Sequence, residues 1–336
     1  FCRLGTKLAC AEMIRGGTTL FADMYYYEAD VAAATAEAGL RALCGESILK
    51  FPTPDAESYD ESLAYTRKFI EDWKGHPLIV PCVAPHAPYT TTDEILRACA
   101  DLAVEYDVPL QVHLAETRLE VDESWAQFEK RVITRVADLG VFNAKTLAAH
   151  CVHVSDADIK LIKRSGAAVV HNPLSNFNNA VGVAPVPNLV RARVPVAVGT
   201  DGMSSGVAND IRVASVMHKC GEGDAQAGGD SFSRFVWETA PDIASSQFGF
   251  EVGRLSIGSA ADLVISEAMP ATAVTEENAW WHLLFGVLTA PVRTTVVAGR
   301  IRMLDFRLQG IDEAAAYAEA RELSLALWKR MKRRRS

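Results

Sequence analysis

Four short apolar runs in this 336-residue chain end in side chains that can bind a metal or carry a proton. Pro109-Leu-Gln-Val-His-Leu-Ala-Glu116 delivers His113 and, three residues on, Glu116. Leu147-Ala-Ala-His150, Ala167-Ala-Val-Val-His171 and Val194-Pro-Val-Ala-Val-Gly-Thr-Asp201 deliver His150, His171 and Asp201. A neutral imidazole binds zinc or iron(II), and an aspartate can close such a site while staying near enough to take a proton from water. A carboxylate near the ligands but off the metal, the position open to Glu116, is free for proton transfer. Together these residues are the equipment of a metal-assisted hydrolase. Polar caps on buried strands would explain one such position readily and four poorly.

The segments that carry these residues alternate strand and helix. Lys7 to Arg15 has a helical pattern stopped by Gly16-Gly17, and strand patterns follow at 18–24, 41–47, 78–84, 109–116, 146–150, 167–171 and 194–199. Helical patterns lie between them at 28–38, 58–73, 92–106, 123–138, 156–165 and 187–192. This spacing implies βαβ units and a parallel sheet. Functional side chains at the ends of several strands favour a (β/α)8 TIM-type barrel over a flavodoxin-like open sheet, with seven strands found where the closed form has eight. The expected layout is α/β: a barrel over 1–250 lacking its first strand, remnants of a small β-sandwich domain over 251–310, and a C-terminal helix over 311–336. The β segments 262–266, 294–298 and 300–303 and a helix at 232–248 mark the change of pattern.

Bulk properties narrow the class. Hydrophobic residues make up 49% and charged residues 23%, as in ordinary globular proteins, and a net charge of -8 argues against a nucleic-acid surface. The basic run Lys329–Arg335 is read as a solvated helix end, because cations suit a helix C-terminus. Seven cysteines form no CxxC pair, which fits reduced thiols in a cytoplasmic enzyme. No apolar run has the length of a membrane span, so no membrane partner is expected. Tyr25-Tyr-Tyr27 offers rings that could stack on a heterocycle or simply pack at a barrel mouth. His76, His218 and His282 read as surface or satisfied polar residues, while His153 reads equally as a helper of His150 or a bystander.

Val112-His-Leu-Ala-Glu116, Ala149-His-Cys-Val-His153, His171-Asn-Pro-Leu-Ser-Asn176 and Gly199-Thr-Asp-Gly202 together resemble the amidohydrolase superfamily. Within it they are similar to the deaminase and chlorohydrolase group that includes methylthioadenosine/S-adenosylhomocysteine deaminases, and the segments 175–179, 231–237 and 325–331 are similar to SsnA-type aminohydrolases. The resemblance implies that His113 and Asp201 are metal ligands and that Glu116 shuttles protons. It makes His150, with Glu116 and Asp201, a catalytic residue that orients and polarises the attacking water. It places His86 against the substrate, and Asn172 and Asn176 in a loop contacting it; ordinary turn chemistry is the competing reading of that loop.

The implied cofactor is one divalent ion, zinc with iron(II) as the alternative. The implied reaction is hydrolytic deamination of an amino-substituted heterocycle of purine, pterin or nucleoside type. A catalytically impaired or metal-free binding protein on the same fold and a related chlorohydrolase or cyclic amidohydrolase are the alternatives. A homodimer is the suggested assembly. The family also takes two ligands from a His-x-His at the end of its first barrel strand, and none occurs before Thr18. The expectation is therefore a fragment of a longer protein, holding part of the metal site.

Overall fold

A computed structural model describes residues 1–227 and 231–335. The chain runs α1 (Cys2–Gly16), β1 (Leu20–Tyr25), α2 (Glu28–Ala38), β2 (Arg41–Ile48), α3 (Tyr59–Trp73), β3 (Ile79–Pro81), β4 (Ala84–Pro85) and α4 (Asp93–Tyr106). It continues through β5 (Leu110–Leu114), α5 (Arg118–Phe128), α6 (Val132–Asp138), β6 (Thr146–His150), α7 (Asp156–Ser165) and β7 (Ala168–His171). Next come α8 (Pro173–Asn178), α9 (Val186–Arg191), β8 (Val196–Val198) and α10 (Val207–Glu222). After α11 (Ser231–Arg234), a π-helical turn (Phe235–Thr239) leads into α12 (Ala240–Phe248). The remainder is β9 (Leu263–Ser266), α13 (Ala279–Phe285), β10 (Val292–Val297), β11 (Arg300–Leu304), β12 (Arg307–Leu308) and α14 (Glu313–Arg335).

Every pairing among β1 to β8 is parallel. β1 pairs with β2, which pairs with both β3 and β4; a bridge from Val83 to Leu110 carries the arc on to β5, and β6, β7 and β8 follow in order. Among the described residues no pairing joins β8 to β1, so seven strand positions form an open arc, the count expected from the sequence. Across the opening, Ser205 Oγ donates to Glu12 Oε2 at 2.8 Å, which holds the loop after β8 against α1.

Strand alternation sorts side chains between two cores. Leu110, Val112 and Leu114 of β5 join Ala148 of β6 and Val169 of β7 in the layer beneath the helices. Leu43, Cys82, Leu147 and Ala168, with Val80 and Val170, fill the interior of the arc. Gly45 is required there: a Cβ would meet Ala84 Cβ and Cys82 Sγ at 2.7 Å. Four helices, α3, α4, α5 and α7, begin on side-chain caps: Ser58 accepts from Glu61 N, Thr92 from Ile95 N and Thr117 from Glu120 N, while Ser155 and Asp158 form a capping box.

The last strands form an antiparallel sheet in the order β12, β11, β10, β9. Val297 and Met303 of this sheet pack with Cys10, Met13 and Ile14 of α1, and Arg15 Nε donates to Glu313 at 2.9 Å to seat α14 beside them. None of the described helices is long and apolar enough to cross a membrane.

Some elements differ from the sequence pattern. The helix expected over 123–138 starts earlier and is two helices, broken at Glu129, which adopts φ +53° without being glycine. The strand expected over 78–84 is two pieces, each ending in a proline that donates no ladder hydrogen bond. His218, expected as a surface or a satisfied polar residue, is buried on α10 with its Nε2 lacking a hydrogen-bond partner among the described residues.

Candidate active site

His113 occupies the inner face of β5, since its neighbours Val112 and Leu114 face the helices. Its Nδ1 lies 2.7 Å from the carbonyl oxygen of His86. A carbonyl can only accept, so the ring proton is on Nδ1 and the Nε2 lone pair is left for the interior. Burial, reinforced by His150, holds the His113 imidazolium pKa below its ordinary value although the His86 carbonyl and the nearby carboxylates pull the other way. The ring is therefore neutral. His86 sits just past β4 with Nδ1 2.9 Å from Thr90 Oγ1. The Thr90 hydroxyl itself donates to Ala87 O at 3.1 Å, which leaves its oxygen to accept from His86. Burial, helped by the neighbouring His113 and His150, pushes His86 down to about 4.

His150 reaches the same place by another route. Alternation from Leu147 would send the last residue of β6 outward, but His150 takes φ +70° and Cys151 φ +49°. Such angles are uncommon outside glycine, and here they turn the ring back over the strand ends. His150 Nε2 then stands 3.8 Å from Glu116 Oε2 and 3.7 Å from Asp201 Oδ2. Those separations exceed a direct hydrogen bond, so the groups face one another without being bonded. The ring centroids of His113 and His150 are 5.5 Å apart, and those of His86 and His113 4.9 Å.

Each carboxylate follows a left-handed residue or is one: Ala115 precedes Glu116 with φ +49°, and Asp201 has φ +52°. Glu120 fastens the first loop, its carboxylate accepting from Ala115 N at 3.1 Å and from Glu116 N at 2.9 Å. Burial pushes Glu120 up to about 7 despite those bonds. Asp201 accepts from Gly202 N at 2.6 Å and from the Ser175 hydroxyl. Burial works against its charge, yet Ser175, Gly202 and the two histidines outweigh it and hold the carboxyl below its usual range.

The remaining expected residues are placed as follows. Asn172 is 5% exposed, with Oδ1 packed where a Cβ on Gly199 would be. Asn176 is fully buried behind the histidine, its Oδ1 2.8 Å from His150 Nδ1. His153 turns away, Nε2 lying 2.8 Å from Val181 O. His171 also leaves the site: it shares the outer face of β7 with Val169, fully buried, and its ring lies 5.5 Å from that of His218. Exposed Tyr25 ends β1 and Tyr27 follows it, while exposed Tyr89 lies beyond the carboxyl end of β4, edge-on to His86 at 6.1 Å.

Thr90, Glu120 and Ser175 were not found by reading the sequence for chemistry. Thr117-x-x-Glu120 was a visible helix-capping pattern, whereas nothing local marks Thr90 or Ser175. A separate cavity of about 630 Å³, lined by Ala168, Arg193, Pro195, Arg234 and Asp242, opens at the amino ends of β7 and β8, away from these groups.

A sequence profile of the amidohydrolase family matches residues 1–302. The chain belongs to that family. Among its amidohydrolase relatives is the 5-methylthioadenosine/S-adenosylhomocysteine deaminase of Syntrophobacter fumaroxidans, 38% identical over 316 residues that cover 92% of this chain and 72% of that protein. The 5'-deoxyadenosine deaminase of Methanosarcina acetivorans is 32% identical over 323 residues, 94% of this chain and 74% of that one. The structure of an adenosine deaminase from Xanthomonas campestris with bound zinc superposes with a TM-score of 0.89 at 32% identity, covering 97% of this chain and 75% of that chain. The resemblance carried by the strand-end motifs is correct, and the open parallel arc is the TIM-type frame of an amidohydrolase.

Proposed function

We propose that this amidohydrolase performs metal-assisted hydrolytic deamination of an amino-substituted purine-like heterocycle, the nucleoside class named for its deaminase relatives. The observation that carries the reading is the meeting of Glu116 and Asp201, from two separate strand ends, within 3.8 Å of His150 Nε2.

His113 and Asp201 are the residues that would hold a divalent ion, zinc by the precedent of the zinc-bound adenosine deaminase and iron(II) as the alternative. Both fit in kind: the imidazole is neutral with Nε2 free, and the carboxylate is kept ionised. They supply two donors, and among the described residues no three metal-capable side chains are arranged around one ion. When bound, the ion supplies Lewis acidity that brings the pKa of water towards neutrality.

The protein's own groups divide the proton work. Asp201 accepts a proton from the attacking water, and His150 Nε2 orients that water towards the ring carbon bearing the amine. Glu116 protonates the adjacent ring nitrogen, which makes that carbon electrophilic. Left as a carboxylate, it then takes the proton of the newly added hydroxyl and delivers it to the amine, which departs as ammonia as the C–N bond breaks and the carbonyl forms. The proton held by Asp201 restores Glu116. His86 and the exposed Tyr89, edge-on to it, border the space above, where a flat heterocycle would lie.

Ammonia release from adenosine-type nucleosides in zinc-supplemented buffer, read with the ultraviolet change from aminopurine to oxopurine, tests the assignment. Glu116→Gln is expected to lower kcat by about 10²- to 10⁴-fold. Absence of ammonia from every aminopurine offered would defeat the reading.

A further inference from the structure

We propose that Ser175 and Asn176, adjacent on α8, are positioning residues for this deamination: Asn176 sets the tautomer of His150 and Ser175 sets the orientation of Asp201. The functional consequence rests on the deaminase reading, while the tautomer is a property of the folded chain alone.

Asn176 is fully buried and Ser175 is 1% exposed, so neither is open to a substrate from solvent. Their side chains instead reach the two catalytic groups from behind. Asn176 Oδ1 lies 2.8 Å from His150 Nδ1, and an amide oxygen only accepts. In the neutral ring the His150 proton therefore sits on Nδ1, and Nε2, the atom facing Glu116 and Asp201, keeps its lone pair for a water hydrogen. The backbone carbonyl of His86 imposes the same tautomer on His113.

Ser175 Oγ donates to Asp201 Oδ2 and accepts from Asn179 Nδ2 at 3.4 Å, so its proton points at the carboxylate. Gly202 N holds the other carboxylate oxygen at 2.6 Å. The helix that carries the pair is itself pinned, Leu174 N donating to Asp210 Oδ1 at 3.3 Å and Val181 N to Asn176 O at 3.0 Å. Two catalytic groups from different strands are thus registered by consecutive residues of one short helix.

Nitrogen-15 spectra of histidine-labelled full chain, with His150 assigned by loss of its signals in His150→Asn, read the tautomer without turnover. The wild-type ring is expected to show a protonated Nδ1 and a bare Nε2. Asn176→Leu should move the proton to Nε2 and lower kcat about tenfold to a hundredfold with KM little changed, as losing an outer hydrogen-bond partner does. Asn176→Asp, which keeps an oxygen in place, should restore the Nδ1–H signature. Ser175→Ala should lower kcat and leave the His150 spectrum unaltered.

A wild-type ring protonated on Nε2, or an Nδ1–H ring that persists in Asn176→Leu, overturns the role of Asn176. An unchanged kcat in Ser175→Ala overturns that of Ser175. If Asn176→Leu does not fold, the wild-type and Asn176→Asp spectra decide the matter. A tautomer shift in a chain that releases no ammonia would refute the deaminase reading and leave the positioning of His150 standing.

Discussion

Arg41, the first residue of β2, and Asp262, just ahead of β9, form an ion pair 2.8 Å long whose side chains are only 5% and 4% exposed. It joins the parallel arc to the antiparallel sheet. Arg41 also donates to Pro77 O at 3.0 Å, and Asp262 accepts from Ala298 N at 2.6 Å, so both charges are satisfied on each side of the junction. Removing one partner leaves the other charge buried and unpaired. Asp262→Ala is expected to lower the free energy of unfolding by about 3–5 kcal/mol, read from urea titrations. A loss far smaller than this would mean that Arg41 finds water in the folded state.

Glu46 on β2 predicts a pH effect of a definite sign. It is 1% exposed, with Oε2 accepting from Glu28 N at 3.1 Å and Oε1 buried without a hydrogen bond. Burial foremost, with Asp55 adding, pushes it up to about 9. The folded protein thus keeps a proton that the unfolded chain sheds above about pH 4.5, so the carboxyl's contribution is full in acid and fades as pH rises towards 9. Glu46→Gln keeps the shape and has no proton to lose. Its stability relative to wild type should grow by about 1.4 kcal/mol per pH unit across that window. A difference independent of pH would show that the carboxyl is already ionised in the fold.

Gly199 allows Asn172 its place beside the site. A Cβ there would stand 2.5 Å from Asn172 Oδ1 and 2.8 Å from Val170 Cγ1. Gly199→Ala is expected to cost about 1–3 kcal/mol and to reduce turnover, because Asn172 and the adjoining Asp201 loop must shift. Thermal melts and nucleoside kinetics on the same preparation check both effects.

Zinc titration of the chain followed by calorimetry tests the ligand assignment. His113→Ala and Asp201→Ala should each weaken binding by more than the roughly tenfold to hundredfold that an outer-shell loss costs, whereas His86→Ala should not. Equal effects from all three would mean that the ion sits elsewhere.

Much of the frame was legible because hydrophobic period and turn residues mark the βα units directly. Strands 41–47, 146–150 and 167–171 and the helix over 28–38 lie within a residue of where the pattern puts them. α8 was not legible: six residues are too few for a helical period, and Asn172-Pro173 reads as a turn until the proline is seen to begin a helix. α10 begins at Val207, after an N-cap Gly206 that has no side chain to cap it, so its start has no local signal. In the site, His113, His150, Glu116 and Asp201 were identifiable by residue type at strand ends. What residue type could not give was depth. Asn176 and His171 carry the same polar labels as their neighbours, yet one braces His150 from behind and the other faces the helices.

The left-handed turn at His150 also changes what a strand can contribute. A regular strand offers its interior every second residue, so β6 would hand the centre Leu147 and Ala149 and nothing more. Twisting the final residue lets two consecutive positions, Ala149 and His150, address the same space. The number of groups that can meet above the arc is thus decoupled from the parity of its strands, and chemistry can be added at a rim without shifting the register of the sheet below.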